Sequence, residues 1–226
     1  MQKTFEHTSF IIFDWDGTLM DSTARIVSAM QTTARLVGLY IPSEAQVKGI
    51  IGLSMQSVVE NLFPGISPPQ KNELIETYRH QYIEADTTPT PLFKGVLPLL
   101  HWLRSNQIVT AVATGKARAG LDRVMNDVDL HGHFEHSICA DEAQSKPHPQ
   151  MVEELMSRAG KTSAQTLVVG DSVHDLKMAN NANVRSVGVT SGANSFDELQ
   201  VFAPIKILSR VCDFQQWFSE SHCRQS

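Results

Sequence analysis

Long apolar runs are missing from this chain. At the N-terminal end only Phe10 to Phe13 are continuously apolar, too short for the core of a secretory signal, and no stretch approaches the ~20 apolar residues of a membrane span. The cytoplasm is therefore the expected location, and no membrane partner is expected. Cysteine is also scarce. Cys139, Cys212 and Cys223 are odd in number and show no Cys-x-x-Cys spacing, which argues against a disulfide framework or a zinc ribbon and suits reduced thiols. There is no excess of positive charge: 19 Lys and Arg face 24 Asp and Glu, a formal balance of −5, so the electrostatic footprint of a nucleic-acid binder is lacking. Internal repeats, low-complexity tracts and long charge runs are absent as well.

What is present is an alternating pattern. Four short apolar runs, Phe10 to Phe13, Ile108 to Ala113, Leu167 to Val169 and Val184 to Val189, read as buried parallel strands. His136 to Ala140 and Ile205 to Leu208 are weaker candidates that complete a sheet. Between the runs lie apolar residues at helical spacing, such as Leu97, Leu99, Leu100 and Leu103, or Met151, Val152, Leu155 and Met156. Strand alternating with helix predicts an α/β fold, a Rossmann-like doubly wound parallel sheet with helices on both faces. At 226 residues such a core needs no staple.

The alternation breaks between Asp21 and about Thr90, where the helix-like runs Ser22 to Gly38, Ser54 to Leu62 and Pro69 to Glu84 follow one another without a strand. This segment reads as an inserted small α-helical unit, residues 20–90, within a core made of residues 1–19 and 91–226. Its far boundary is Thr87-Thr-Pro-Thr-Pro91, which cannot continue a helix. The tail after Phe218 is expected to fray.

In a parallel α/β sheet ligands bind outside the carboxyl ends of the strands. The first strand ends in Asp14-Trp-Asp16-Gly-Thr18 and the second in Thr114-Gly-Lys116. Lys146-Pro-His-Pro149 precedes a helix, and Gly170-Asp171-Ser-Val-His-Asp175 follows a further strand. Four acids, a hydroxyl and a lysine would converge on one sheet edge. Carboxylates held so close raise one another's pKa unless a cation sits among them, and a hard divalent ion with oxygen ligands, Mg²⁺ above all, meets that need. Asp14 and Asp16, two apart on an extended segment, point the same way, so one can attack while the other moves protons. Gly17 allows a sharp turn and Thr18 can hold it.

Taken in this order, the four segments resemble the motifs of the haloacid dehalogenase superfamily, specifically its phosphatases with a small helical cap between the first and second motifs. The resemblance covers nearly the whole chain. It implies that Asp14 is the nucleophile and that Asp16 protonates the leaving oxygen and then activates water. Thr114 is implied to bond the transferring phosphoryl group, and Lys146 to neutralise it and orient Asp14. The implied Mg²⁺ ligands are the Asp14 side chain, the Asp16 backbone carbonyl, Asp171 and Asp175, the last directly or through water. The superfamily's dehalogenases lack an acid at the position of Asp16, so a phosphatase is implied. Lys48, four residues before Gly52, matches an Arg-x-x-x-Gly cap loop of relatives except that it is lysine. Lys116 is a candidate for the anionic leaving group, and Gly115 stands where relatives often carry asparagine.

The expected function is therefore hydrolysis of a small phosphorylated metabolite by a monomer or homodimer. Phosphoglycolate is favoured, with a sugar phosphate, a nucleotide or pyrophosphate open. A β-phosphoglucomutase-like phosphotransferase and a non-catalytic scaffold are the alternatives. Each residue also has a plainer reading. Asp14 and Asp16 could be solvated turn acids, and Asp171, Ser172 and Asp175 could simply favour a helix start. Thr114 could be an ordinary turn hydroxyl, while Lys146 and Lys48 could be solvated lysines. His131, His133, His136 and Cys139 invite zinc, but their spacing fits no standard site. Trp102 and Trp217 read as packing residues, and Trp15 as a shield over the site.

Overall fold

A computed structural model describes residues 8–223; residues 1–7 and 224–226, the outer ends of the expected core segments, lie outside that range. Six parallel strands form one sheet in the order β3-β2-β1-β4-β5-β6: β1 (Phe10–Phe13), β2 (Val109–Ala113), β3 (His136–Ile138), β4 (Thr166–Gly170), β5 (Arg185–Val189) and β6 (Lys206–Leu208). The chain winds outward from β1 to β3 on one side and from β4 to β6 on the other. The strand order thus reverses at the centre, where such sheets open a crevice.

Successive strand residues face opposite sides, and both sides are apolar. Ile11, Phe13, Val112, Leu167 and Val169 pack into one cluster, with α5 (Val96–Ser105) and α10 (Phe214–Cys223) behind them. Phe10, Ile12, Ala111, Ala113 and Val168 pack into the other, against α7 (Gln150–Ala159) and α8 (Val173–Asn181). A strand covered on both faces must be apolar throughout, which is why β1 reads as a solid run.

The segment after β1 is helical: α1 (Thr23–Leu36), α2 (Glu44–Lys48), α3 (Met55–Leu62) and α4 (Pro68–His80), the last running into a π-helical turn at Gln81–Ala85. Ser43, Ser54 and Ser67 cap α2, α3 and α4 by accepting bonds from the first-turn amides. These helices enclose their own apolar cluster, from Ile26 to Tyr82. The short α2 carries too few apolar residues to show a period and was not expected. α6 (Arg118–Asp127) and α9 (Phe196–Gln200) complete the helices.

Two expectations change. The helix does not stop at Phe218: α10 continues to Cys223, with Phe214, Trp217 and Phe218 anchoring one side of it to the core, and residues 224–226 of the expected frayed tail lie outside the described residues. Trp15 does not shield the site. It is fully buried in the core cluster, its ring edge-on to Phe134, because it points to the opposite face from the two acids beside it. Trp102 and Trp217 pack against the same cluster. Cys139 lies buried in that cluster and His133 packs its ring 5.0 Å from that of His101. No helix among the described residues is long and apolar enough to cross a membrane.

Candidate active site

The register of the sheet delivers the acids. Phe13 pairs with Val112 on one side and Val169 on the other, so Asp14, Thr114 and Asp171 leave three neighbouring strands at nearly one level. Asp14 donates its backbone N–H to the Val169 carbonyl (2.9 Å) and Thr114 donates its own to that of Ile138 (3.1 Å), which extends the ladder to the rim. All four acids are buried, with Asp14 3% and Asp16 7% exposed and Asp171 and Asp175 at 0%.

Lys146 closes the group from the turn before α7. Its side chain is fully buried, and Nζ donates to Asp14 Oδ1 (2.5 Å) and Asp175 Oδ1 (2.6 Å). This excludes the solvated-lysine reading. Burial pulls the ammonium pKa down, but the two carboxylates outweigh it and hold the group charged. Asp175 is the third residue of a capping box: Oδ2 accepts from the Ser172 hydroxyl (2.6 Å) and amide (3.1 Å). The capping that could have explained this acid away is thus also what aims its other oxygen at Lys146.

Asp171 accepts from the Thr18 hydroxyl (2.7 Å) and the Ala193 amide (2.7 Å). This close approach requires glycine at two places. A Cβ on Gly17, whose φ is +81°, would lie 2.3 Å from Asp171 Oδ2, and one on Gly192 would lie 1.9 Å from it. The Thr18 hydroxyl, expected to hold the turn, is thus bonded to an acid.

Asp16 faces the helical insertion. Its Oδ1 accepts from the Ser22 hydroxyl (2.5 Å) and is 2.9 Å from Lys116 Nζ, which also lies 3.2 Å from the Tyr82 hydroxyl. Burial works against the Lys116 charge, but Asp16 and Tyr82 more than offset it and raise its pKa. The fully buried Thr114 hydroxyl accepts from the Lys116 amide (3.2 Å), leaving its hydrogen for a ligand oxygen. Ser22 and Tyr82 were missed in the sequence because each has an ordinary helical explanation, one beside a helix start and one on an apolar face. The Ala193 amide has no sequence signal at all.

Lys48 is not brought to this group. It sits in a neighbouring groove with Asp21, Ser191 and Gly192, its Nζ 2.6 Å from Glu44. Gly115 lies against the insertion, where a Cβ would be 2.6 Å from the carbonyl oxygens of both Gly52 and Leu53, and it lines the cavity beside Lys116.

Four acids here meet only two ammonium groups, Lys146 and Lys116, which leaves two formal negative charges in a buried space. Oxygens of Asp14, Asp171 and Asp175 all lie within 4.8 Å of one another, and among the described residues this is the one such group placed to hold an ion. Without an ion, burial and the neighbouring acids push Asp14 well above the usual carboxylate range, although Lys146 opposes them. Burial and Asp175 push Asp171 up to about 7. An all-oxygen donor set with two surplus charges fits a hard divalent cation. What the arrangement offers is a carboxylate fixed by a lysine, a second carboxylate two residues on, and a place for a cation among Asp14, Asp171 and Asp175.

The model of the haloacid dehalogenase-like hydrolase family matches residues 11–189. The protein named Probable phosphatase IndB of Dickeya dadantii is 32% identical over 201 residues, 86% of each chain. A phosphoglycolate phosphatase of Pectobacterium atrosepticum is 27% identical over 211 residues, 90% of this chain and 89% of that one. The crystal structure of a hydrolase from Pseudomonas syringae superposes with a TM-score of 0.83 at 22% identity, over 94% of this chain and 98% of that one. With its motifs on the same sheet rim and its family match spanning most of the sheet, this chain belongs to the haloacid dehalogenase-like hydrolases.

Proposed function

We propose that the protein is a Mg²⁺-dependent phosphatase that hydrolyses a small phosphorylated metabolite through an aspartyl-phosphate, with residues 20–90 acting as a cap over the site. The observation that carries this reading is the buried Lys146 ammonium bonded to both Asp14 and Asp175. It fixes one oxygen of Asp14 and leaves the other for attack.

In the first step Asp14 forms a bond to phosphorus and the bond from phosphorus to the leaving oxygen breaks. Asp16, held by Ser22 and Lys116 at the cap side of the site, gives that oxygen a proton. In the second step Asp16 takes a proton from water as the water attacks phosphorus, releasing inorganic phosphate and restoring Asp14. Splitting one displacement into two and using one carboxyl as acid and then base are ordinary ways of lowering such barriers. Thr114 donates to a phosphoryl oxygen, and Lys146 stabilises the spread negative charge. Mg²⁺, held by Asp14, the Asp16 carbonyl, Asp171 and Asp175, supplies further neutralisation of the phosphoryl oxygens when bound.

The names of relatives divide between phosphoglycolate and pyrophosphate among the finer choices. The reading is tested by following phosphate release from a panel of phosphorylated metabolites with and without Mg²⁺. Turnover that requires Mg²⁺ and falls at least a hundredfold in Asp14→Asn is expected; a folded, Mg²⁺-loaded wild type that releases phosphate from no compound would refute it.

A further inference from the structure

Asp16 and Lys116 form one end of a cavity of about 480 Å³ between the helical insertion and α6. Arg79, Arg123 and the hydroxyl-bearing Tyr78 and Tyr82 also line it, and the rest of its wall is apolar. Ile50, Ile51 and Leu53 come from the loop before α3, Met55 and Val58 from α3, and Ile75 from α4. Tyr78 and Tyr82, stacked with ring centroids 5.8 Å apart, make another side. Gly115 is what admits this lining: with no side chain there, the Gly52 and Leu53 backbone moves into the space a Cβ would need, carrying the isoleucines with it.

Each cation on the wall already has an acid. Lys116 is bound to Asp16, Arg79 to Glu76 at 3.2 Å, and Arg123 to Asp127 at 3.3 Å. A leaving group with its own carboxylate or phosphate would have to compete with these acids for the cations, in a wall otherwise apolar. A short polar one would leave most of the apolar wall uncovered. Cavities of this size and lining suit a drug-sized apolar body held by a few polar contacts.

We infer that the alcohol part of the substrate is a bulky apolar group, with a ring or branched carbon chain that fills this cavity. This deepens the phosphatase reading and rests on it. It sets the enzyme apart from one specialised for phosphoglycolate or pyrophosphate.

The test compares kcat/KM of the full chain with Mg²⁺ on 2-phenylethyl phosphate and n-hexyl phosphate against phosphoglycolate, glycerol 3-phosphate and pyrophosphate. Alkyl rather than aryl esters are used so that the leaving groups of the monoesters do not differ greatly in intrinsic reactivity. The apolar esters are expected to be favoured by about tenfold or more, the discrimination a few buried carbons supply. Met55→Glu and Ile75→Glu should each cut that preference about tenfold. Both residues are only partly buried, and an acid at Met55 stands in the first turn of α3, where the helix dipole tolerates it, so a folded variant is obtained. Equal or better turnover of phosphoglycolate or pyrophosphate by the wild type overturns the inference and leaves the phosphatase reading intact. Hydrolysis of none of the five overturns the inference, and the wider metabolite panel then decides the phosphatase reading separately.

Discussion

Asp171 shows how much a single buried group can report. In the metal-free protein burial and Asp175 raise its pKa from 3.8 to about 7, so the native state binds more protons than the unfolded chain between those values. Stability therefore falls as pH rises through that window. A divalent cation must displace the same protons, so its binding strengthens over the same range. The gain in melting temperature on adding Mg²⁺ should be larger at pH 8 than at pH 6 by roughly 3–5 °C, the shift that a tenfold affinity change gives a chain of this size. Thermal unfolding at both pH values, with and without the ion, checks this, and equal gains would show that no proton is exchanged. Asp14, Asp16, Asp171, Asp175, Thr114 and Lys146 were all legible in the sequence because chemistry at a strand end needs particular side chains at particular places. Their helpers Ser22 and Thr18 were legible only as helix or turn residues, and the Ala193 amide not at all. The sequence does not say which acceptor a hydroxyl or an amide will meet.

Among the elements, the loop from Ile50 to Leu53 has the least freedom. Its backbone carbonyls occupy the space above Gly115, Ser54 donates its amide to Ser145 Oγ (2.8 Å), and His174 Nε2 lies 2.9 Å from the Gly49 carbonyl. These contacts seat the insertion on the sheet rim. Gly115→Ala would place a methyl 2.6 Å from two backbone oxygens, so the loop, and not a flexible side-chain tip, must move. We expect kcat/KM to drop about tenfold while the fold is kept, because a small misplacement near the chemistry is costly in rate. Steady-state kinetics together with near-ultraviolet circular dichroism would show it, and an unchanged rate would mean that the loop yields freely. All six strands were readable, since runs covered on both faces are apolar throughout. The short α2 and the last turns of α10 were not, because the one has too few residues for a period and the other is held by aromatic contacts from elsewhere in the chain.

At the scale of the molecule, three apolar clusters hold the fold. Two share the sheet, and the third belongs to the insertion. The central strands are wholly buried, whereas the insertion's helices bury one side only: Leu74 is the one fully buried apolar residue of α4. Segments with thinner cores open more readily than the sheet they rest on. Backbone amides of residues 23–85 should therefore exchange with deuterium at least tenfold faster than those of β1 and β4. Hydrogen exchange read by mass spectrometry decides the matter, and equal protection would mean that the insertion and sheet open as one unit.

What the sequence by itself determined was the chemistry and the layering. The order of strand, helix and strand-end acid leaves few ways to fold and puts the carboxylates on one rim, because side-chain period and the burial of backbone groups are local constraints. What only the tertiary structure decided was what lies beyond the phosphate site. That Lys116 turns to Asp16, and that isoleucines and tyrosines far apart in the chain meet to wall a cavity, follows from how the insertion packs on the sheet. Such long-range packing depends on shape and on the sum of many weak contacts, which no single residue in the sequence records.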